Sequence, residues 1–130
     1  MTAPPRTRCP CPCCGYLVFD GGPGSYDVCP ICFWEDDAVQ LEFATNGGGA
    51  NKASLVEAQQ NFVSFGACEE RSKPDVRRPT EADERDPTWR PVDLKRDTFG
   101  NWSDRSAPRA PRHNEELYYW RESFWRNSTR

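Results

Sequence analysis

The sequence predicts a small α+β protein: a short β-hairpin carries a pair of cysteine turns, one helix packs on the hairpin, and an extended arm follows. Three observations predict this fold. Two Cys-x-x-Cys pairs, separated by 14 residues, lie near the N-terminus. A segment that begins at Ser54 combines a helix-capping signal with an apolar stripe at helical spacing. The C-terminal half is rich in proline, arginine and aspartate, which indicates an extended arm.

Composition divides the chain into one compact part and looser sequence. The 130 residues have a mean hydropathy of -0.87 and include 12 prolines, so much of the chain lacks a deep core. We expect a disordered tail over residues 1–8, a cysteine-rich domain over 9–66, a linker or arm over 67–113, and a terminal helix over 114–126. The N-terminus has no apolar signal region, and no stretch approaches the roughly 18 apolar residues of a membrane helix. These observations predict a cytoplasmic protein with no membrane association.

The two cysteine pairs predict one tetrahedral metal site. The four expected ligands are Cys11, Cys14, Cys29 and Cys32. Each short turn aims two sulfurs at one point, and zinc is the ion that this spacing favours, with two disulfides as the alternative. Seven cysteines cannot all pair within one chain, and in a reducing compartment clustered pairs more often bind metal. Gly15 follows the first pair, where a positive φ is useful, whereas Phe33 in the equivalent place predicts a less regular second turn.

Three further cysteines lie outside this set. Cys9 and Cys13 lie beside or inside the first pair, and either is an alternative ligand in another register. Cys13 has two interpretations, a reactive thiol whose pKa a nearby cation lowers or a packed bystander. Cys68 is interpreted as a partly buried free thiol.

Apolar runs on either side of a glycine-rich turn predict the hairpin. Residues 16–19 predict one strand, residues 20–24 a loop, and residues 26–28 a return toward the second cysteine pair. Alternation of apolar residues over 39–43 predicts a second half-buried strand. Three consecutive glycines at 47–49 then predict a loop.

The clearest helix begins at Ser54. Ser54 and Glu57 have the spacing of a capping box, and Gly66 supplies a C-terminal stop. The apolar residues that share one face of this helix are Leu55, Ala58, Phe62 and Phe65. A unit of about 60 residues is only marginally stable by itself, whereas a structural zinc contributes about 10–16 kcal/mol in finger peptides. We therefore expect metal binding and folding to be one event.

The residues after Cys68 carry weaker signals. Six prolines lie between Lys73 and Pro111, with isolated large apolar side chains at Trp89, Phe99 and Trp102. Two interpretations stay open, a solvated arm or an arm whose tryptophans dock on the module. Further on, an apolar stripe predicts a short terminal helix within 114–126. The residues of the stripe are Leu117, Trp120 and Phe124.

The cysteine-rich part resembles the bacterial cysteine-rich CPCC family over about residues 9–66. The matching residues are Cys11-Pro12-Cys13-Cys14, Gly15-Tyr16, Gly24-Ser25-Tyr26-Asp27, the run from Cys29 to Asp37, Gly48 to Lys52, Ser54-Leu55, Glu57-Ala58 and Asn61-Phe62. The resemblance implies a zinc-binding domain without an established reaction. The two turns are also similar to the paired knuckles of rubredoxin-type iron domains and of zinc ribbons. Iron would imply electron transfer, but one histidine, His113, cannot supply the paired Glu-x-x-His motifs of a ferritin-like di-iron partner.

The function that these patterns favour is a metal-stabilised module that binds an unidentified protein partner. The predicted contact surface comprises Trp34, Glu35, Asp36 and Asp37, which would suit a basic or amphipathic partner. In the alternative interpretation, Trp34 packs on the metal site and the acidic side chains are solvated. Four thiolates leave no open position on the ion, so catalysis is disfavoured, and a separate site built from the three acids and His113 is not required by their spacing.

Nucleic-acid binding is the third hypothesis, since zinc ribbons often perform it. Residues 1–66 hold 3 basic and 7 acidic side chains, a formal charge of -4 that phosphate would repel. Any contact would have to come from arginines in the tail, which are interleaved with acids. We therefore expect no nucleic-acid partner.

Overall fold

The structure is a computed structural model that describes residues 8–112 and 114–128. Residues 1–7 of the predicted N-terminal tail and His113 lie outside the described residues. The regular elements are two strands, β1 (Cys9–Pro10) and β2 (Leu17–Phe19), and two helices, α1 (Ala38–Glu42) and α2 (Leu55–Phe65). Three 3-10 helices follow at Glu70–Asp75, Glu115–Leu117 and Trp125–Ser128. None of the helices described is long and apolar enough to cross a membrane.

The small sheet differs from the predicted hairpin. β2 pairs antiparallel with β1, with Cys9 opposite Phe19 and Pro10 opposite Leu17, and not with residues 26–28. Residues 26–28 instead meet the chain that follows the second cysteine pair, where Val28 bridges Glu35. The physical reason is that each cysteine turn reverses the chain by itself, so the segment before a turn meets the segment after it.

The strand predicted over 39–43 is wrong, because these residues lie in α1 or at its end. The Asp37 carboxylate accepts hydrogen bonds from the amides of Val39 and Gln40, and this N-cap satisfies donors that a helix start leaves free. The alternation misleads because the polar Gln40 is 0% exposed, whereas its apolar neighbour Val39 is only half-buried. Its amide group bonds the backbone of residues 46, 51 and 53 and so holds the glycine-rich loop.

The predicted helix α2 is confirmed together with both of its ends. Ser54 and Glu57 form the reciprocal capping box, and Gly66 ends the helix with φ +81°. Leu55 and Ala58 are fully buried, whereas Phe62 and Phe65 are half-buried. The apolar face therefore packs most closely through the first two turns of the helix.

The predicted terminal helix is replaced by two short 3-10 helices joined by turns. Four consecutive side chains, from Leu117 to Trp120, are buried. An α-helix packed on one side cannot bury four successive residues, since they point in different directions around its axis. Packing on several sides at once therefore favours the irregular path.

The core joins the cysteine-rich part of the chain to the C-terminal aromatic side chains. It contains the cysteines and the apolar side chains around them together with the C-terminal aromatics, namely Phe19, Ile31, Trp34, Leu41, Leu55, Leu117, Tyr118, Tyr119 and Trp120. The arm also packs on this core, because Trp89 and Phe99 lie against it half-buried, while Trp102 stays 47% exposed beside Phe43. The interpretation of a solvated arm is therefore wrong. The aromatic side chains of the arm instead dock on the core.

Candidate metal centre

Two turns of the same backbone geometry position the cysteine pairs. In the first, the Gly15 amide bonds the Cys11 carbonyl at 2.7 Å and the Cys11 amide bonds the Tyr16 carbonyl at 2.9 Å. In the second, 18 residues later, the Phe33 amide bonds the Cys29 carbonyl at 2.8 Å and the Cys29 amide bonds the Trp34 carbonyl at 2.9 Å. Phe33 has φ +73° and Gly15 has φ +81°. The prediction that the second turn is less regular is therefore wrong: the phenylalanine adopts the backbone conformation of the glycine.

The turns bring together the four cysteines that the spacing singled out. The sulfur atoms of Cys11, Cys14, Cys29 and Cys32 all lie within 4.8 Å of one another, and all four residues are 0% exposed. The Cys11 and Cys32 sulfurs are 3.5 Å apart, and those of Cys14 and Cys29 are 3.7 Å apart. A tetrahedral ion with metal–sulfur bonds of about 2.3 Å separates its ligands by about 3.8 Å. The donor set and its spacing thus fit a tetrahedral metal ion.

Without a metal ion, the four buried thiols cannot all be ionised together. Burial raises the pKa of Cys11 and of Cys32 well above the usual value, because a dry site disfavours the thiolate. Hydrogen bonds from the three neighbouring thiols lower the pKa of Cys29, which also lies 3.4 Å from the Ile31 amide. A divalent cation would replace the protons held by this cage, so its binding releases protons and weakens on acidification.

Side chains from distant parts of the chain bond the carbonyl groups of the first turn. The Pro12 carbonyl accepts from the Gln59 side chain and the Trp89 indole, each at 3.0 Å. The Cys14 carbonyl accepts from Arg85 at 2.8 Å, and the Gly15 carbonyl accepts from the Asp86 amide at 2.8 Å. These bonds close the turn against water and fix the direction of its sulfurs.

The second turn is held through backbone amides. The Cys32 carbonyl accepts from the Cys68 amide at 2.7 Å, and the Pro30 carbonyl accepts from the Arg77 amide at 3.1 Å. Each of these five carbonyl groups therefore accepts a bond from a residue that follows α2, and the Pro12 carbonyl accepts one from Gln59 of α2 as well. This arrangement ties the metal centre to the C-terminal half of the molecule.

The other three cysteines do not belong to the four-sulfur group, and all seven cysteines are unbridged, which excludes the disulfide alternative in this structure. Cys13 and Cys68 are each 1% exposed, and Cys9 is half-buried. Burial raises the pKa of the Cys13 thiol and raises that of Cys68 to about 12. A raised pKa favours the protonated, unreactive thiol, so the interpretation of Cys13 as a packed bystander fits better than a reactive role.

The predicted contact surface is mostly inside the protein. Trp34 is 0% exposed, Asp36 2% and Asp37 5%, so these three side chains cannot meet a partner. Asp36 accepts from the Ser25 amide and hydroxyl at 3.1 and 2.7 Å, and burial nonetheless raises its pKa. Asp37 caps α1 and also accepts from the Ala50 amide. Asp36 and Asp37 therefore anchor loops, because buried carboxylates need hydrogen-bond donors. Of the four predicted contact residues, only Glu35 keeps a half-exposed side chain.

Two residues of structural importance were missed from the sequence. Gln59 bonds the first cysteine turn, the hydroxyl of Tyr119 and the amide of Val92. Its place on the apolar face of α2, four residues after Leu55, was the signal that this glutamine is buried. Asp86 accepts from Thr88, from the Trp120 indole and from Arg121, and no local pattern identifies those distant partners.

Comparison with curated proteins finds no match. The family model described as "Cysteine-rich CPCC" matches residues 9–83, more than half of the chain, and includes both cysteine turns, α1 and α2. The cysteine-rich family and the four clustered cysteines together indicate metal binding. The chain therefore belongs to the cysteine-rich CPCC family.

Proposed function

We propose that this protein is a structural zinc-binding module that acts by binding another protein and does not use its metal for catalysis. The closed four-sulfur cage supports the proposal. A catalytic zinc keeps one position for water or substrate, whereas four cysteine sulfurs fill a tetrahedral shell. All four of these residues are 0% exposed, so a substrate has no path to the ion.

A tetrahedral set of four thiolates suits zinc or iron, and we assign zinc because a purely structural role needs no redox chemistry. Gln59, Arg85 and Trp89 bond the first turn from outside. A buried, redox-inert ion at this place would hold the first cysteine turn against α2 and the arm. A reducing compartment such as the cytoplasm suits the site, because free thiols persist there.

Elemental analysis combined with an absorption spectrum tests the metal. We expect about one zinc per chain in a colourless protein. A red protein with bound iron would contradict the zinc assignment and favour electron transfer. Replacement by cobalt should give the intense absorption of tetrahedral cobalt thiolates.

A matched pair of variants tests the ligand set. Cys13 and Cys14 are neighbours with 1% and 0% exposure, but only the Cys14 sulfur lies in the four-sulfur group. We expect Cys14→Ser to lose the metal and Cys13→Ser to retain it at full occupancy. Loss of metal from Cys13→Ser with retention by Cys14→Ser would show that the first pair binds in another register.

Protein binding is supported by the surface around the second turn. Tyr26, Val28 and Phe33 are respectively 57%, 42% and 37% exposed, and they lie within eight residues of sequence. Large exposed apolar side chains that cluster on a surface are typical of interaction sites. Nucleic acid is a poorer partner, because residues 1–66 carry a formal charge of -4.

A further inference from the structure

The two cysteine turns share one geometry but differ in what covers them. Residue 15 of the first turn and residue 33 of the second both have φ in the left-handed region, at +81° and +73°. At the first, a Cβ atom would lie 2.5 Å from the Trp89 ring, so only glycine admits the arm there. At the second stands Phe33, 37% exposed.

Phe33 occupies this place at an energetic cost that glycine would avoid. A side chain at positive φ crowds its own backbone, and aromatic residues rarely adopt that conformation. Phe33 keeps more than a third of its surface exposed, so burial within the chain offsets only part of that cost. Backbone strain at an exposed apolar residue is characteristic of a functional contact.

A groove of about 330 Å³ lies beside the Phe33 ring. Among the residues that line it are Val28, Phe33, Glu35, Glu69, Arg71 and Asp75. Val28, 42% exposed, and Phe33 supply an apolar wall. The carboxylates of Glu35, Glu69 and Asp75 add an acidic part to the lining.

Two of the carboxylates in the groove are available to a cation. Arg71 pairs with Glu69 at 2.7 Å, which neutralises both. The side-chain carboxylates of Glu35 and Asp75 make no hydrogen bond or ion pair within residues 8–112 and 114–128. The groove therefore presents an apolar wall and two uncompensated negative charges.

The arm that covers the first turn shows which kinds of side chain can dock on a turn of this geometry. The Arg85 guanidinium lies 4.7 Å from the Tyr16 ring and 5.0 Å from the Trp89 ring, and it bonds the Cys14 carbonyl. The backbone on either side of Arg85 pairs with the residues after the first turn's cysteines, since the Leu17 amide bonds the Glu84 carbonyl and the Asp86 amide bonds the Gly15 carbonyl, each at 2.8 Å. An extended segment that combines an arginine with a tryptophan thus docks on this turn.

We propose that the groove beside the second turn binds an extended segment of a partner protein that carries an aromatic side chain flanked by basic residues. The aromatic ring packs against Phe33 and Val28, and the basic side chains pair with Glu35 and Asp75. This inference rests on the proposed protein-binding function and specifies the chemistry of the partner. The charge complementarity of the groove selects a basic segment over an acidic one.

Fluorescence anisotropy of the full chain with a labelled peptide tests the proposal. The probe is a nine-residue peptide with a central tryptophan and two arginines on each side. Two control peptides replace the tryptophan by serine or the four arginines by glutamates. We expect the probe to bind, both control peptides to bind at least about tenfold more weakly, and the affinity to fall with added salt, since an anchor residue and exposed charges carry the contact.

Variants of the full chain assign the contact to the groove. Phe33→Gly removes the ring and relieves the backbone, so it keeps the fold, and we expect about tenfold weaker binding. Val63→Ala, a change at an apolar residue that is 85% exposed on α2, is the matched control and should bind as the unmodified chain does. The double variant Glu35→Gln with Asp75→Asn should bind more weakly and lose most of the salt dependence.

The proposal would be overturned by no binding at millimolar peptide, by equal binding to Phe33→Gly, or by equal binding of the acidic peptide. Self-association of the chain that Phe33→Gly abolishes would also overturn it, because a second copy would then fill the groove. Metal content is measured on the same samples. Full zinc occupancy without peptide binding contradicts this inference alone, whereas absence of zinc contradicts the metal assignment.

Discussion

The two halves of the molecule are built on different physical principles. Residues 9–66 contain both strands and both α-helices, and short-range motifs such as the cysteine turns and the Ser54 capping box define them. Over the described residues from 67 onward there is no strand and no α-helix, only three 3-10 helices. Yet this second half places Leu117 and Tyr118, among others, in the same core. A segment can thus be ordered without regular secondary structure.

Hydrogen bonds from side chains replace the missing backbone ladders in the second half. Asp86 joins the first cysteine turn to the C-terminal aromatics, since its amide bonds the Gly15 carbonyl and its carboxylate accepts from Trp120. Glu42 of α1 similarly holds the arm through Arg109 at 2.8 Å. Buried polar groups of this kind must all be satisfied, so they specify one arrangement of the arm. The comparison therefore predicts that the second half depends on the metal centre for its order.

Of the changes considered, removal of the metal should have the largest effect on the stability of the two halves. A structural zinc contributes about 10 kcal/mol or more, which is comparable to the whole net stability of a typical domain, about 5–15 kcal/mol. We expect a chelator to unfold both halves together, because the arm bonds carbonyl groups of the first cysteine turn. Hydrogen exchange checks this through simultaneous loss of protection at the amides of Leu17, Asp86 and Tyr118. Retained protection at Tyr118 in the chelated protein would show that the second half folds independently.

Local motifs explain why the metal centre could be predicted from sequence. The spacing of the four cysteines, the Ser54 cap and the Gly66 stop each depend on a few neighbouring residues, and the structure has all of them. The error at α1 arose within five residues, since a span that short has no distinct helical or strand period. There the N-cap carboxylate of Asp37 carried more information than the alternation of apolar residues.

Long-range contacts explain what could not be predicted. Asp86 bonds side chains that lie 34 and 35 residues away, and two of the partners of Gln59 lie 47 and 60 residues away. Such bonds depend on the complete fold, so the sequence alone left both a solvated arm and a docked arm open. The burial of Asp36 and Asp37 could not be predicted for the same reason. Their carboxylates accept from amides in loops, and no single segment determines where those loops lie. Burial of polar residues is where reasoning from hydropathy fails.

After removal of the metal, truncation of Gln59 should have the next largest effect, because it weakens the contact between the two halves. Its side chain bonds the Pro12 carbonyl, the Tyr119 hydroxyl and the Val92 amide from a position that is 4% exposed. We expect Gln59→Ala to lower the free energy of unfolding by about 3 kcal/mol, because the Val92 amide loses its acceptor and a buried cavity is left. The Pro12 carbonyl keeps its bond from Trp89, and the Tyr119 hydroxyl keeps its bond to the Arg90 carbonyl. Urea unfolding of the zinc-loaded protein measures this change.

The neighbouring residue supplies a control for that change. Gln60 is exposed on the same helix, so Gln60→Ala should alter the free energy of unfolding by less than about 0.5 kcal/mol. Equal effects of the two variants would contradict the role given to Gln59 and would attribute the loss to helix propensity alone.

Asp86 should give the second half a dependence on pH. Burial by itself would raise the pKa of Asp86, but hydrogen bonds from Thr88, Arg121 and Trp120 outweigh it and lower the pKa to about 2. A carboxylate with a depressed pKa stabilises the fold fully above its ordinary pKa of about 3.9, and this stabilisation is lost as the pH falls toward 2. We expect Asp86→Asn to cost about 2 kcal/mol at neutral pH.

The difference in the free energy of unfolding between the unmodified chain and Asp86→Asn isolates this carboxylate. Acid-induced release of metal affects both proteins and cancels in the comparison. The difference should stay constant from pH 7 to about 4 and shrink below it, where the unmodified chain also becomes protonated. A difference that grows below pH 4 would contradict the depressed pKa.

The smallest expected effect concerns the contact between the arm and the first cysteine turn. Gly15 and Gly66 both have φ +81°, but an added Cβ meets the Trp89 ring at 2.5 Å only at Gly15, while at Gly66 nothing lies within 4 Å. Both substitutions by alanine share the same backbone strain, so their difference reports the displacement of Trp89. We expect Gly15→Ala to be less stable than Gly66→Ala by about 1 kcal/mol, with a red shift of tryptophan emission in Gly15→Ala alone. Equal stability and equal emission would mean that Trp89 leaves the turn without cost, and the second half would then be held by its other bonds.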